Sequence, residues 1–505
     1  MENCLKNDGR VRGEGHGGIR AAECLFLVAV ATLTVLSAFA KVELAEPKDG
    51  SVVPLLTEAQ KAYLSLPRAV RREKFADSTF RKSEMGLPAE KVEGEKKPRA
   101  SYWPKTVRLA WTAKDGVECR VSVRDAKTGV CVYEGTSKGG SVNIDNLEIA
   151  AAYEWSVDDG EGLATARFRT EDTAPRLVRF PGVPNVRDLG GRIGRGGKRV
   201  RQGMVFRSAG LNENAGLTYY TLDELEREGK FAELEAKIAA AEKRLRKLEA
   251  WQKAPATFDR EDGEYKDWCS RHPHDSLARF LSSRIDRAKK QIKNKDFKIP
   301  RGRAAGKSRV EGEKGAYVLS RFGIRSDIDL RSDGECFGMT GSPLGETVTW
   351  VHHPSSAYGG MQKDGGKKAF AKVFKVFLDR NNYPIDFHCI AGQDRTGAVA
   401  FILNALLGVD EEQLYLDWEI TGFWNRSTKF RHETLFDKLV DGFRKAYPAP
   451  TINESVEKYV LSLGFSAEDI DKFRGIMLGD DGCDGGLRKG NVRINGVLSN
   501  RILID

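Results

Sequence analysis

His388-Cys389-Ile390-Ala391-Gly392-Gln393-Asp394-Arg395-Thr396-Gly397 lies between two segments of opposite character. Before it, Tyr383-Pro384-Ile385-Asp386-Phe387 reads as a short buried strand entered through a proline. After it, the apolar run from Ala398 to Leu407, stopped by Gly408, reads as a helix. The ten residues are therefore a turn from a strand into a helix N-terminus. Such a turn gathers backbone N–H groups and the positive end of a helix dipole in one small space, which suits a phosphate.

The residue types fit that setting. A cysteine at the mouth of such a loop has its thiol pKa lowered from about 8.5 into the range ~3.5–7.5, so Cys389 is expected to be a thiolate at neutral pH. A thiolate can attack phosphorus. Arg395 closes the loop with a planar fork of donors for two phosphoryl oxygens. Gly392 and Gly397 let the backbone approach an anion without a Cβ in the way. Thr396 can hydrogen-bond the Cys389 sulfur and so ease its departure. The phosphate-binding positions are thus Ile390, Ala391, Gly392, Gln393, Thr396 and Gly397. Two other readings compete: a buried strand-end cysteine beside an ordinary helix, and a sulfur-transfer loop.

The 505 residues suggest two to four domains, and 40% apolar content suffices for ordinary cores. The formal charge of +10 is spread over short mixed runs of 82 basic and 72 acidic residues. That excess suits acidic substrates but gives no argument for nucleic acid.

Residues 1–23 carry Lys6, Arg10, Arg12 and Arg20, and residues 25–40 are apolar and end in Ala38-Phe39-Ala40. A basic segment, an apolar segment and an A-x-A site together read as a signal peptide, cleaved after Ala40. The run is short for a membrane span, so no stable transmembrane anchor is expected and the mature chain would be secreted or periplasmic. Eight cysteines are present. Cys119 and Cys131 flank a hairpin turn, but the expected register puts Cys119 near Glu134–Gly135 and Cys131 near Val123, so no disulfide framework is expected.

Residues 41–99 read as a helical and linker segment. Residues 100–172 alternate apolar and polar positions: Val107-Leu109-Trp111, Cys119-Val121-Val123, Tyr153-Trp155-Val157 and Ala166-Phe168. Leu147 followed by Tyr153 and Trp155 resembles the tyrosine-corner region of a fibronectin type III or immunoglobulin-like sandwich.

Beyond a polar linker, four blocks occur in order: Asn185-x-Arg187-Asp188-Leu189-Gly190-Gly191, Phe206-Arg207-Ser208, Asp329-Leu330-Arg331-Ser332, and the His388–Gly397 loop. This set resembles the bacterial tyrosine-phosphatase-like family. Its secreted mycobacterial members act on phosphotyrosine, phosphoserine/threonine and phosphoinositides. The resemblance covers roughly residues 177–211 and 323–478. It implies an α/β cysteine-phosphatase domain over residues 177–478, so the chain reads as multidomain: the β-sandwich, this domain, and a glycine-rich tail over 479–505. It also implies a phosphocysteine intermediate, no cofactor, and as partner a phosphorylated protein, a small phosphate monoester or a phosphoinositide. Cys389 would be the nucleophile and Arg395 the clamp. The first candidate for the acid is Asp394 in the loop; the others are Asp329 on a neighbouring strand, which could instead orient Arg395, and Asp364 on a glycine-rich stretch, residues 355–366, read as a mobile flap. His388, Arg331 and Arg207 would support the site. The family commonly has Lys where Gln393 stands, and that loss of charge argues against a multiply phosphorylated lipid.

Between the blocks, an insertion over about residues 213–313 carries apolar residues from Phe231 to Leu248 at coiled-coil spacing and a second helix from Leu277 to Ile292. A helical hairpin is expected, with no partner identifiable from its residues. His272, His274 and Cys269 lack a second half-site, so no metal is expected. Neither the hairpin nor the β module contributes to the loop, and both are expected to be dispensable for its chemistry. A reading of another class is a catalytically weak surface-binding protein that uses the β-sandwich and the helical arm.

Overall fold

The computed structural model describes residues 42–76, 103–272, 274–424 and 431–479. The expected signal peptide, most of the linker before residue 100 and the tail beyond Gly479 lie outside these residues.

The first layers come from the alternating segments. The strands are β1 (Glu43–Glu46), β2 (Ser51–Val53), then after α1 (Glu58–Leu64) and α2 (Arg68–Ala76), β3 (Val107–Thr112), β4 (Cys119–Asp125), β5 (Cys131–Ser137), β6 (Ser141–Ile144), β7 (Ala152–Asp158) and β8 (Leu163–Thr170). They form a three-stranded sheet ordered β1-β3-β6 and a five-stranded sheet ordered β2-β8-β7-β4-β5. All pairs are antiparallel except β2 with β8. Every second residue of β4 and β7 is buried, and the two sheets close on Trp155, Val121, Val123 and Val157. The Tyr153 hydroxyl accepts the Glu148 N–H at 2.9 Å.

Two expectations about this module change. It begins near residue 43, because β1 and β2 complete its sheets; strands this short carry too little alternation to be seen in sequence. The hairpin register also differs: Cys131 stands opposite Arg124, and an irregularity between Val123 and Arg124 shifts the pairs beyond it so that Cys119 stands opposite Ser137. Both thiols are free.

Among the described residues, the module shares one compact unit with the α/β region (residues up to Leu211, Arg309–Leu330 and those from Ser342 on). Buried polar contacts join them. Arg176 donates to the Leu147 and Asn146 carbonyls at 3.1 and 2.8 Å. The Tyr317 hydroxyl accepts from Asn146 and donates to Asp145, each at 2.9 Å.

The α/β region places β9 (Arg187–Asp188) and β10 (Val205–Ala209) before the insertion. After it come α7 (Glu313–Phe322), β13 (Ser326–Asp329), β14 (Thr349–His352), α8 (Asp364–Phe377), β15 (Ile385–Cys389), α9 (Arg395–Leu406), α10 (Glu411–Glu419), α11 (Thr421–Trp424), α12 (Arg431–Ala446), α13 (Ile452–Ser462) and α14 (Ala467–Leu478). The sheet order is β14-β13-β15-β10-β9, parallel throughout except for edge strand β9. α9 is buried from Thr396 to Leu406, as its predominantly apolar sequence requires. Ser466 caps α14 and forms a capping box with Asp469.

Asn212–Ser308 with Arg331–Gly341 form a second compact unit. Here β11 (Gly216–Tyr219) pairs antiparallel with β12 (Pro300–Ala304). The helices between are α3 (Leu222–Arg227), α4 (Phe231–Lys253), α5 (Gly263–Arg271) and α6 (Leu277–Lys293). Leu248 and Trp251, late in α4, share a core with Phe280, Leu281 and Ile285, early in α6. Ile238, early in α4, packs with Ile299, beyond the end of α6. The two long helices therefore run antiparallel. Ser276 caps α6, and α5 is a further helix that the spacing does not reveal.

Candidate active site

The three strands β10, β13 and β15 are buried along their whole length, yet they carry Arg207, Asp327, Asp329, Asp386 and His388. Fully buried charges in a sheet centre are uncommon and need partners. In an open parallel sheet the ligand crevice lies beyond the carboxyl ends of the strands. Cys389 is the last residue of central strand β15, opposite Ala209 of β10.

The loop that follows is held from outside through its carbonyls. Gly210 N–H donates to Ile390 O at 3.2 Å, Asn185 Nδ2 to Ala391 O at 2.8 Å, and Arg207 to Gly392 O at 2.5 Å. A peptide unit carries its C=O and N–H on opposite sides. Pinning three successive carbonyls outward therefore turns the following N–H groups toward the loop's interior, where α9 begins. Gly392 has φ +66°, and a Cβ there would stand 2.4 Å from Ser208 O, so no other residue fits.

Burial raises the Cys389 thiol pKa, but the Thr396 hydroxyl and N–H and the Arg395 charge outweigh it and lower the pKa. Asp394 is the N-cap residue of α9 and Arg395 its first helical residue; both are partly exposed. One Arg395 nitrogen reaches Leu330 O at 3.4 Å.

Behind the nucleophile, His388 Nε2 lies 2.9 Å from Asp327 Oδ1, and Nδ1 lies 3.9 Å from Asp329 Oδ1. Burial disfavours the imidazolium, but Asp329 and Asp327 outweigh it and lift its pKa to about 9. Burial pushes Asp386, bonded to Ser208 Oγ at 2.8 Å, up to about 7.

The positions expected from sequence separate. Cys389, His388, Asp394, Arg395, Thr396 and the loop residues come together, and Arg207 reaches them through Gly392 O. Asp329 is fully buried beside His388 rather than at an open surface, which suits a charge partner better than an acid. Arg331 belongs to the second unit, donating to Asn212 Oδ1 at 2.6 Å. Gln393 is buried, so it is not the rim residue that the loop pattern implies.

The glycine-rich stretch, expected to be a flap, is packed in this structure. Its residues 358–362 form a packed 3₁₀ turn with Met361 fully buried. A Cβ on Gly366 would stand 2.0 Å from Gly360 O, so Gly366 permits close packing of the turn. Asp364 is exposed at the start of α8, where a carboxylate complements the helix dipole.

Two residues at the site escape sequence reasoning. Tyr358, from that packed turn, donates its hydroxyl to Asp394 Oδ1. Asp417 of α10 receives three buried arginines: Arg192 at 2.8 Å, Arg187 at 3.3 Å, and Arg207. Burial opposes its charge, yet the three guanidiniums hold it far below the usual carboxylate range. Asp417 could have been noticed as a lone charge inside Leu414-Tyr415-Leu416-Asp417-Trp418; Tyr358 has no comparable signal.

A parallel α/β sheet ending in a carbonyl-pinned, cysteine-headed anion loop at a helix N-terminus defines a phosphoryl-handling enzyme domain. The profile of the tyrosine phosphatase family matches residues 178–227 and 302–479. This C-terminal region is a tyrosine phosphatase family domain, and the protein is a phosphatase, a hydrolase. The residues between the two matched segments lie in the second unit. A comparison with curated proteins finds no match.

Proposed function

We propose that the protein hydrolyses phosphate monoesters, phosphotyrosine first and phosphoserine/threonine second, through a phosphocysteine intermediate. The observation that carries this reading is the placement of Cys389 at the end of β15, heading a loop whose Ile390, Ala391 and Gly392 carbonyls are pinned outward where α9 begins; Thr396 and Arg395 lower its thiol pKa. The thiolate attacks phosphorus while Arg395 and the loop N–H groups hold the equatorial oxygens. The P–O bond to the leaving group breaks, and that oxygen takes a proton from Asp394. Water then attacks the phosphocysteine, Asp394 takes the water's proton, and the P–S bond breaks to return the thiolate. Thr396 Oγ stabilises the sulfur in both steps.

The buried Gln393 adds no cation to the loop, which favours singly phosphorylated groups over multiply charged inositol lipids. The strand order β1-β3-β6 against β8-β7-β4-β5, with the Tyr153 hydroxyl bonded back to Glu148, supports reading the N-terminal module as fibronectin type III-like. Export with cleavage after Ala40 is the companion proposal, resting on the tripartite pattern of residues 1–40. N-terminal sequencing of the mature protein tests it.

The central test is Cys389→Ser. It should abolish phosphate release from phosphotyrosine peptides while vanadate or tungstate still binds. Retained turnover would remove the cysteine mechanism. Running phosphotyrosine, phosphoserine and phosphoinositide substrates on one preparation ranks the substrate classes.

A further inference from the structure

Tyr358 lies outside every motif, yet its side chain is aimed at the loop. Its φ of +49° is in the left-handed region, which a bulky aromatic residue seldom adopts. Such a conformation persists only where the surroundings over-determine it, and here they do. Gly360 N–H donates to Ala357 O at 2.9 Å. The Tyr459 hydroxyl donates to Met361 O at 2.8 Å, and Gln362 Nε2 donates to Leu439 O at 3.2 Å. The turn is thereby tied to α12 and α13, and Gly366 seats it against the start of α8. The ring is 8% exposed, so the phenol is placed by packing rather than by solvent.

The hydroxyl meets Asp394 Oδ1, one of the two oxygens of the carboxyl that faces the reacting phosphate in the reading above. Burial, and then the Asp394 charge, push the phenol far above its ordinary range, outweighing the indole of Trp418. The phenol therefore acts here as the donor in its hydrogen bond to Asp394.

We propose that Tyr358 is a positioning residue for the proton transfer: its phenol occupies Asp394 Oδ1, so that Oδ2 gives its proton to the leaving oxygen and takes one from water. When the P–O bond breaks, the proton moves from Oδ2 to the leaving oxygen. The carboxylate left behind keeps a charge-assisted hydrogen bond from Tyr358. In the second step the same Oδ2 accepts the proton of the attacking water. This role rests on Asp394 being the acid.

The test compares phenyl phosphate with p-nitrophenyl phosphate on the full chain. General-acid assistance matters more for the poorer leaving group, phenol. Tyr358→Phe should lower kcat on phenyl phosphate about 10- to 100-fold, and at least about fivefold less on p-nitrophenyl phosphate, with KM changed less than about twofold. The ratio of the two rates in one preparation cancels any loss of folded protein, so it reports on the proton step alone. In the Asp394→Asn background, Tyr358→Phe should cost little more, because the tyrosine acts through that carboxyl. An equal loss on both substrates, or a full multiplicative loss on top of Asp394→Asn, overturns the positioning role. If Asp394→Asn depends on the leaving group and Tyr358→Phe does not, only the tyrosine proposal falls. If Asp394→Asn shows no such dependence, the acid assignment falls and the tyrosine role with it.

Discussion

Arg71 Nε donates to Glu419 Oε2 at 2.7 Å across 348 residues of sequence, with both side chains buried. A second guanidinium nitrogen meets Glu412 at 2.5 Å, and a third donates to Leu66 O. Glu419 follows Asp417 by two residues on α10, so the two carboxylates point about 200° apart around that helix. One side of α10 thus grips α2, and the other grips the arginine that holds Gly392 O.

Arg71→Met should lower the free energy of unfolding by about 3–5 kcal/mol, because it leaves Glu419 buried without its cation. Urea denaturation of the two proteins measures this. Arg71→Met with Glu419→Gln should recover much of the loss. The same geometry gives the N-terminal module, expected to be dispensable for the chemistry, a part in stability. Removing it would strip Arg176 and Tyr317 of their buried partners and expose α10, so a chain beginning at residue 175 should be far less stable. Full stability in that truncated chain would contradict the bracing role.

Asp417→Asn tests the other side of α10. It leaves Arg187, Arg192 and Arg207 buried with one charge too few, and burial with like charges already draws Arg187 down to about 9. A stability loss of about 3–5 kcal/mol is expected. Vanadate affinity should weaken as well, since Arg207 then loses the partner that aims it at the loop. Unchanged oxyanion binding in a folded Asp417→Asn protein would separate the arginine cluster from the loop.

How much of this could be read beforehand follows from the range of the forces involved. Cys389, Arg395, Thr396 and Gly392 sit within nine residues, and a strand–turn–helix brings them together without tertiary help. The alternation of β4 and β7 was equally legible, because a sheet with one buried face writes period two into its sequence. Tyr358 was not legible: its role depends on a turn tied down by Tyr459 and Gln362, and glycines that permit tight packing look the same in sequence as glycines that permit motion. Arg187, Arg192, Arg207 and Asp417 are spread over residues 187–417, and only the folded sheet gathers them. The Cys119 register was not legible either, because the single irregularity between Val123 and Arg124 moves every pairing beyond it.

Gly392→Ala should be among the most damaging one-methyl changes in the protein. The added Cβ meets Ser208 O at 2.4 Å, in a backbone conformation unfavourable for alanine. Relief requires moving the loop off β10, which breaks the Arg207 bond to Gly392 O. A displacement of about 1 Å in a catalytic site costs on the order of 10²-fold in rate, and a loss of that size is expected on p-nitrophenyl phosphate. Gly359→Ala is the control, because its Cβ would meet nothing within 4 Å. Similar activity in the two variants would show that the Ser208 contact does not shape the loop.

The last prediction concerns pH. His388 is buried with Asp327, Asp329 and Asp386 around it, and its pKa rises from 6.5 to about 9 on folding. A raised folded-state pKa means that the fold binds the proton more tightly than the unfolded chain does. The resulting stabilisation is complete below about pH 6.5 and is lost as pH climbs through about 9. It is worth on the order of 3 kcal/mol at the acid end of that window. Asp386 acts in the same direction at lower pH: its carboxyl, raised to about 7, costs stability as it ionises inside the fold. The lowered Cys389 thiol acts the other way, adding stability as pH rises toward the unfolded thiol's range. Substituting His388→Gln isolates the imidazole. The gap in unfolding free energy between the wild type and this variant should be widest near pH 6 and close progressively toward pH 10. A gap that stays constant over that range would mean that His388 is held neutral in the fold, and that the aspartates around it carry the protons instead.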